Sequence, residues 1–149
     1  MIHWQDLHHS ELDVPTLYAL LQLRCEVFVV EQTCPYLDID GEDLVGENRH
    51  ILGWRDGRLI AYARILKNGP APEPVSIGWV IVEGSVRGEK LGAQLMTRAL
   101  ASCQQHWPQK ALYLSAQAHL QPFYAGFGFQ PVTPVYDEDG IPHVGMARE

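Results

Sequence analysis

The clearest chemical feature of this sequence is a segment suited to binding an anion. The apolar, β-branched run VSIGWVIV predicts a buried strand, and a helix with Gly88, Gly92 and the cations Arg87 and Lys90 in its first turn follows it. The first amide groups of a helix lack partners and lie at the positive end of its dipole, so they attract phosphate. Glycines at a helix start also permit tight packing, and this stretch alone leaves both interpretations open.

A second group of polar residues lies in the acidic loop at residues 33–48. Asp38, Asp40, Glu42 and Asp43 are oxygen ligands of the kind that calcium prefers, but Gly41 does not stand where an EF-hand requires its glycine. The other interpretations are an acidic rim that attracts a cationic amine and a merely solvated loop.

Composition limits the class of protein. The 149 residues with 46% hydrophobic content suit one domain over residues 1–149, and the net charge of −7 argues against a nucleic-acid partner. We expect no membrane span and no signal peptide, because the sequence shows no sufficiently long apolar run. Cys25, Cys34 and Cys103 form no CxxC pattern, which indicates free thiols in a reduced, cytoplasmic protein.

Strand and helix signals alternate along the chain and predict an α/β (α+β) fold. A short edge strand comes first, and a helix then follows, with Ser10 to Asp13 and then Pro15 as its cap and first turn and its end near Val30. Asp56-Gly57 between apolar runs predicts a hairpin whose strands carry His50 and Arg64. Residues 75–116 predict a parallel β–α–β unit, followed by a short helix stopped at Gly128 and a final antiparallel pair.

Two motifs together resemble the GNAT acyltransferases, which bind acetyl-CoA. They are VxVxxxxRGxxLGxxL and, later, FYxxFGF. The family loop Q/R-x-x-G-x-G/A is matched by Arg87, Lys90 and Gly92. Lys90 replaces the middle glycine, and this makes the loop feasible only if Lys90 has ordinary helical dihedrals. The chain also resembles a small GNAT protein over nearly its full length, with a basic residue expected where Trp79 stands. The segments that carry that resemblance are LYALLQLRCEVFVVEQTCPYLDIDGEDL, RHILGW, RGEKLG, YLSAQAHLQPFY and DGIPHVGMAR.

The resemblance implies a GNAT fold and a site for its co-substrate. The fold would be a mixed sheet of about six to seven strands with a splayed parallel pair and about four helices. Acetyl-CoA would lie along the buried strand and over the helix start, with no metal ion involved. The residues implied to bind it are Val80, Ile81, Val82, Arg87, Gly88, Glu89, Lys90, Leu91, Gly92, Ala93, Gln117 and Tyr124.

The same resemblance implies direct attack of a primary amine on the thioester. Tyr124 matches the residue that gives a proton to the departing thiolate, and a backbone N–H near residues 80–82 would stabilise the oxyanion. Arg24 and Arg64 either hold an acidic part of the acceptor or are structural. The base stays open between a water chain and four side chains, namely Glu31, His50, Glu83 and His143.

Three functions fit these patterns. The first is an N-acetyltransferase acting on a small amine or a protein amino group. The second is a transferase of longer acyl chains, because the first quoted segment also resembles the acyl-homoserine lactone synthases. The third is a CoA-binding module without turnover, which would not require Tyr124 as a proton donor. The apolar terminal hairpin and the acidic loop would also support a homodimer.

Overall fold

The computed structural model describes residues 2–32, 40–67, 74–84, 90–138 and 140–148, and the described residues form one mixed sheet of eight strands. This is the predicted α+β architecture with one strand more than predicted. The strands are β1 (His3–His8), β2 (Arg49–Arg55), β3 (Arg58–Leu66), β4 (Val75–Val82), β5 (Leu112–Gln117), β6 (Gln130–Pro131), β7 (Tyr136–Glu138) and β8 (Ile141–Arg148). Their order is β1-β2-β3-β4-β5-β8-β6, and β7 pairs with β8.

Three α-helices occur among the described residues, where about four were predicted. They are α1 (Val14–Arg24), α2 (Leu91–His106) and α3 (Gln121–Ala125). In that part of the chain no helix combines the length and apolar character needed to cross a bilayer. Several predicted features lie outside the described residues, namely Cys34, Asp38 and the helix-opening residues Arg87, Gly88 and Glu89.

The hairpin of β2 and β3 forms as the Asp56-Gly57 dipeptide predicts. Both turn residues have left-handed φ values, 51° at Asp56 and 76° at Gly57, as a type I′ turn requires. His50 of β2 lies opposite Arg64 of β3. Both residues therefore lie near the middle of the sheet, as the sequence predicts.

Helix α1 begins as predicted and then changes its character. The side chain of Asp13 caps it by accepting a hydrogen bond from the backbone N–H of Thr16 at 2.8 Å. The chain stays helical to Glu31, close to the predicted end at Val30, but Cys25–Glu31 is a π-helix. Such turns are rare and frequently occur at functional sites.

Helices cover both faces of the sheet. On one face, α1 and the π-helix pack on a cluster that includes Leu52, Tyr62 and Ile81. On the other face, the cluster beneath α2 and α3 includes Leu114 and Ala116. Because side chains along a strand alternate between faces, neighbouring residues of β4 and β5 point to different helix layers.

The parallel pair of β4 and β5 separates soon after it forms. The described pairing is limited to Val75 with Leu112 and Ser76 with Tyr113. Beyond Ser76, β4 stays paired with β3 and β5 stays paired with β8. The predicted splayed pair is therefore confirmed, and it opens a gap in the middle of the sheet.

Helix α2 starts at Leu91 rather than at the predicted Arg87. Lys90 precedes it with φ 61° and ψ 23°, so the prediction of helical dihedrals at Lys90 is wrong. A residue with a β-carbon adopts this left-handed conformation at a cost of about 1–2 kcal/mol, which glycine avoids. Lys90 therefore keeps a glycine-type backbone at the position where the GNAT loop pattern has glycine.

Candidate active site

A cleft of about 330 Å³ opens between β4 and β5 beyond the end of their pairing. This volume falls within the range of about 300–1,000 Å³ that is usual for small-molecule sites. Four of the predicted site residues line it together, namely Val80, Gln117, Tyr124 and His143. Phe28, Gln32, Arg64, Trp79 and Glu138 line it as well.

The cleft passes through the sheet from one helix layer to the other. Tyr124 packs with Ala116 in the core beneath α2. Gln117 is the next residue of β5 and points to the α1 layer, where its Nε2 donates to Oε1 of Gln32 at 3.4 Å. His143 is paired directly with Gln117 and therefore shares its face. The cleft thus has an α2 side with Tyr124 and an α1 side with Gln117 and His143.

A β-bulge in β4 shapes the wall of the cleft. The register pairs Arg64 with Gly78 and then Tyr62 with Ile81, so two residues of β4 oppose one of β3. The first of the two is Trp79, whose φ of 51° is unusual for a bulky residue. Such strain is characteristic of functional sites and persists only where the surroundings hold the residue in place.

Three side chains hold Trp79 in this conformation. Phe28 of the π-helix lies against it at 4.9 Å between ring centroids, in a T-shaped arrangement. The guanidinium carbons of Arg24 and Arg64 lie 4.7 and 5.5 Å from its ring centroid. Aromatic and cation–π contacts therefore fix the indole in the α1 side of the cleft wall.

Tyr124 faces the cleft from α3. Its side chain is 6% exposed and packs against Phe123 and Phe129, at centroid distances of 5.0 and 6.4 Å. Burial raises the pKa of Tyr124 to about 12. The phenol therefore stays neutral at physiological pH and can donate a hydrogen bond into the cleft.

Two arginines and two aspartates form a buried charge network behind Trp79. Asp43 accepts hydrogen bonds at Oδ1 from Arg24 and, at 3.0 Å, from Arg64. Asp40 accepts two more from Arg64, at 2.9 and 2.8 Å. Burial opposes the ionisation of Asp40, but its bonds to Arg64 and the nearby positive charges prevail and lower its pKa. Two acids of the predicted loop are therefore counterions of arginines, which favours the structural interpretation of Arg24 and Arg64.

His50 is buried beside this network and does not line the cleft. Its Nδ1 accepts from the hydroxyl of Tyr62 at 2.6 Å, and its Nε2 donates to the carbonyl oxygen of Asp43 at 2.8 Å. Burial lowers the pKa of His50. Because protein groups occupy both ring nitrogens, His50 is not retained as a candidate base.

Neutral His50 predicts a loss of stability in mild acid. Its folded-state pKa lies below the ordinary 6.5, so below pH 6.5 the unfolded chain binds a proton that the folded protein does not. This contribution to stability is complete above pH 6.5 and declines as the pH falls, by at most about 1.4 kcal/mol per pH unit. Urea unfolding at about pH 7.5 and about pH 5.5 measures it, and His50→Gln should show the smaller difference. Equal differences in parent and variant would contradict this role.

The two glutamates predicted as alternative bases do not line the cleft either. Glu31 is exposed at the end of the π-helix. Glu83 accepts a hydrogen bond from Arg58 at 2.9 Å and lines a different depression, together with Gln22 and Trp54. Neither carboxylate is therefore retained as a candidate base.

His143 is the predicted base that does line the cleft. Its Nδ1 donates to the carbonyl oxygen of Ile141 at 2.8 Å, which leaves Nε2 to take and release a proton. Nε2 lies 3.4 Å from Oε2 of Glu138, a residue that the sequence-based prediction missed. The signal was available, because pairing outward from the Asp-Gly turn of the last hairpin places Glu138 opposite Ile141 and Tyr136 opposite His143.

The predicted phosphate site is described from Lys90 onward. Leu91 is buried, while Gly92 and Ala93 are half-buried in the first turn of α2. A β-carbon at Gly92 would lie 3.6 Å from the ring of Phe123, an ordinary contact. The turn therefore has room for a small side chain at Gly92.

The mixed sheet, the separating parallel pair and the buried tyrosine beside a helix start fit the fold that the sequence motifs predict. The chain belongs to the GNAT acyl-CoA N-acyltransferase family, since the model of the acetyltransferase (GNAT) domain matches residues 22–149. The family that the sequence motifs predict is therefore confirmed.

Individual relatives match the chain over its whole length. Protein ElaA of Escherichia coli is 69% identical over 149 residues, which cover 100% of this chain and 97% of that protein. The crystal structure of Escherichia coli ElaA has a TM-score of 0.97 at 68% identity and covers 100% of both chains. An acyl-CoA N-acyltransferase from Pseudomonas aeruginosa has a TM-score of 0.97 at 52% identity, again over 100% of both chains.

Proposed function

We propose that this protein transfers an acetyl group from acetyl-CoA to a primary amine of a small molecule or a protein. One observation carries the proposal: Tyr124 and the edge of β4 that β5 leaves uncovered open on the same cleft. The similar Pseudomonas aeruginosa protein is called an acyl-CoA N-acyltransferase, which supports the reaction class.

The donor is proposed to bind along β4 and over the start of α2. Among the described residues no strand pairs with the side of β4 that faces β5 beyond Ser76, which favours an extended ligand that supplies amide groups, and Val80 and Ile81 belong to that stretch. Val82 follows them on the same strand and is proposed to contact the same ligand. Gln117 lines the same gap and is proposed to hydrogen-bond the arm. The pyrophosphate is proposed to lie on the amides of the first turn of α2, with Lys90 and the residues at 87–89 beside it.

The reaction is proposed to run across the sheet. The amine nitrogen arrives from the α1 side and bonds to the thioester carbon, and the carbon–sulfur bond breaks on the α2 side. A backbone N–H of β4 next to the bulge stabilises the negative charge on the carbonyl oxygen. Tyr124 donates its hydroxyl proton toward the leaving sulfur and recovers a proton as the nitrogen loses its own.

A carboxylate at Gly92 should abolish donor binding. Gly92→Glu places a negative charge where the pyrophosphate is proposed to lie, and like charges in contact cost several kcal/mol, so the Kd for acetyl-CoA should rise about 100-fold or more. Gly92→Ala is the matched control, because its methyl group meets Phe123 at an ordinary 3.6 Å. Calorimetric titration of both variants with acetyl-CoA measures the difference. Equal affinities would refute this placement of the pyrophosphate.

Thiol release from acyl-CoA donors tests the reaction itself. Acetyl-CoA mixed with a panel of primary amines should release CoA only when an amine is present. Faster release from longer acyl-CoA donors would favour the long-chain alternative. Tight CoA binding without release from any donor and amine would favour a binding module instead.

We also propose a reducing, cytoplasmic setting for the reaction. The described cysteines, Cys25 and Cys103, are both free thiols, as is usual in that compartment. Burial raises the pKa of Cys103 to about 12, so its thiol is unreactive and takes no part in acyl transfer.

A further inference from the structure

We propose that Glu138 and His143 form the subsite for the acceptor amine, with His143 as the base, and that the acceptor is a primary ammonium on an apolar or aromatic tether. This inference rests on the proposed acyl transfer, because it assigns the second substrate of the same cleft. It adds Glu138 as a positioning residue and defines the chemical class of the acceptor.

The geometry of the pair suits an ammonium group. Nδ1 of His143 is committed to the carbonyl oxygen of Ile141, so Nε2 presents a lone pair whenever the ring is neutral. Oε2 of Glu138 lies 3.4 Å from that nitrogen. An ammonium carries three N–H donors and can therefore donate to both atoms at once. His143 is 8% exposed and fixed, whereas the Glu138 side chain is 48% exposed and reaches solvent.

The surroundings of His143 add aromatic rings and negative charge. From β7, Tyr136 stacks on its ring at 6.3 Å between centroids, and Tyr136 is itself hydrogen-bonded to Ser115 of β5. Aromatic faces and carboxylates together attract ammonium groups. The titratable groups on the same face as His143 in the strands packed beside it are Tyr136 and Glu138 of β7 and Tyr113 of β5.

The rest of the cleft favours an apolar tether. Phe28, Trp79 and Leu120 line its wall. Arg64 is the only lysine or arginine among the described lining residues, and Asp40 and Asp43 hold its two terminal nitrogens. These four lining residues therefore offer apolar contact and no accessible positive charge.

The third nitrogen of Arg64 does not change this conclusion. Its Nε is buried and has no hydrogen-bond partner among the described residues, and solvent does not reach it. An acceptor carboxylate in the cleft would therefore find no accessible lysine or arginine among the described lining residues. The site accordingly discriminates against amino acids and favours the corresponding simple amines.

The proton balance assigns each group a step. One proton passes from the ammonium to Nε2 of His143, which gives a neutral amine and an imidazolium held by Glu138. The amine nitrogen forms the carbon–nitrogen bond, and the carbon–sulfur bond breaks. Tyr124 gives its proton to the sulfur, and the second proton of the nitrogen replaces it on Tyr124. The imidazolium then releases its proton to solvent past the exposed Glu138. The products are the amide, the free thiol and one proton.

A binding experiment tests the subsite without turnover. Imidazole-ring NMR spectra of the CoA-saturated protein are titrated with phenethylamine and, separately, with phenylalanine, which has the same ring and adds a carboxylate. His143→Gln identifies the His143 signal. Phenethylamine should shift that signal at concentrations about 100-fold below those that phenylalanine requires. No shift with phenethylamine, or equal shifts with both probes, overturns the inference.

Kinetics with acetyl-CoA and phenethylamine form the second arm. His143→Gln should lower kcat about 100-fold and remove the acidic limb of its pH profile, whereas His3→Gln, at an exposed position outside the cleft, should not. Glu138→Gln should raise the KM for phenethylamine about tenfold and leave kcat within about threefold. An unchanged pH profile in His143→Gln rejects it as the base.

The two arms separate the two proposals. If phenethylamine shifts the His143 signal but no amine is acetylated, the proposed transfer fails while the amine subsite stands. If amines are acetylated but His143 neither senses them nor affects the pH profile, the transfer stands and this inference fails.

Discussion

Replacing Tyr124 by phenylalanine should lower kcat for acetyl transfer about 100-fold while the Kd for acetyl-CoA stays within about twofold. The variant keeps the ring that packs between Phe123 and Phe129 and loses only the hydroxyl. This loss of kcat lies at the low end of the range for acid catalysis. Burial raises the pKa of Tyr124 to about 12, whereas a thiol has a pKa of about 8.5, so the phenol is a weaker acid than the thiol that it protonates. Proton transfer from Tyr124 to the departing sulfur is therefore unfavourable by itself and depends on the proton that the amine nitrogen returns to Tyr124.

The high pKa also sets the expected pH profile of the parent enzyme. Tyr124 remains protonated to about pH 10, two units below its pKa, so its ionisation should not reduce kcat in the alkaline range that assays usually cover. Stopped-assay kinetics measure turnover and calorimetry measures donor binding, for both the parent enzyme and Tyr124→Phe. The thermal unfolding temperatures of the two proteins should be nearly identical. An unchanged kcat would remove Tyr124 from the mechanism, and a large loss of donor affinity would make it a binding residue instead.

Features with a local cause could be predicted from the sequence. The Asp56-Gly57 turn, the cap at Asp13 and the left-handed Gly128, whose φ is 91°, each depend on a few neighbouring residues, although α3 ends at Ala125 rather than at the predicted Gly128. Tyr124 was found through a motif that also fixes its short helix. These elements bring β4, β5 and α3 to one cleft, so the outline of the site follows from local signals.

Features that depend on distant pairing could not be predicted. Asp43 meets Arg24 and Arg64 across separations of 19 and 21 residues, and no local pattern connects them. The left-handed Trp79 arises because those arginines and the register between β3 and β4 hold it there.

The second large effect that we expect is on stability, when Asp43 is replaced by alanine. Asp43 is 6% exposed and serves as a counterion to Arg24, which is fully buried, and to Arg64. Removing one partner of a buried ion pair leaves the other charge uncompensated at a cost of about 3–5 kcal/mol. Total stabilities are commonly about 5–15 kcal/mol, so the variant should lose a large part of its free energy of unfolding.

Two further variants keep this prediction decisive. Asp43→Asn preserves the shape and removes the charge, so it should lose less stability than Asp43→Ala but still more than about 1 kcal/mol. Asp40→Asn is the matched control, because its side chain is 35% exposed and its pair with Arg64 is worth less than about 1 kcal/mol. Urea unfolding with a common m-value measures all three. If Asp43→Asn and Asp40→Asn cost the same, the buried carboxylate is not what neutralises the two arginines, and Trp79 must owe its strained conformation to Phe28 and the strand register alone.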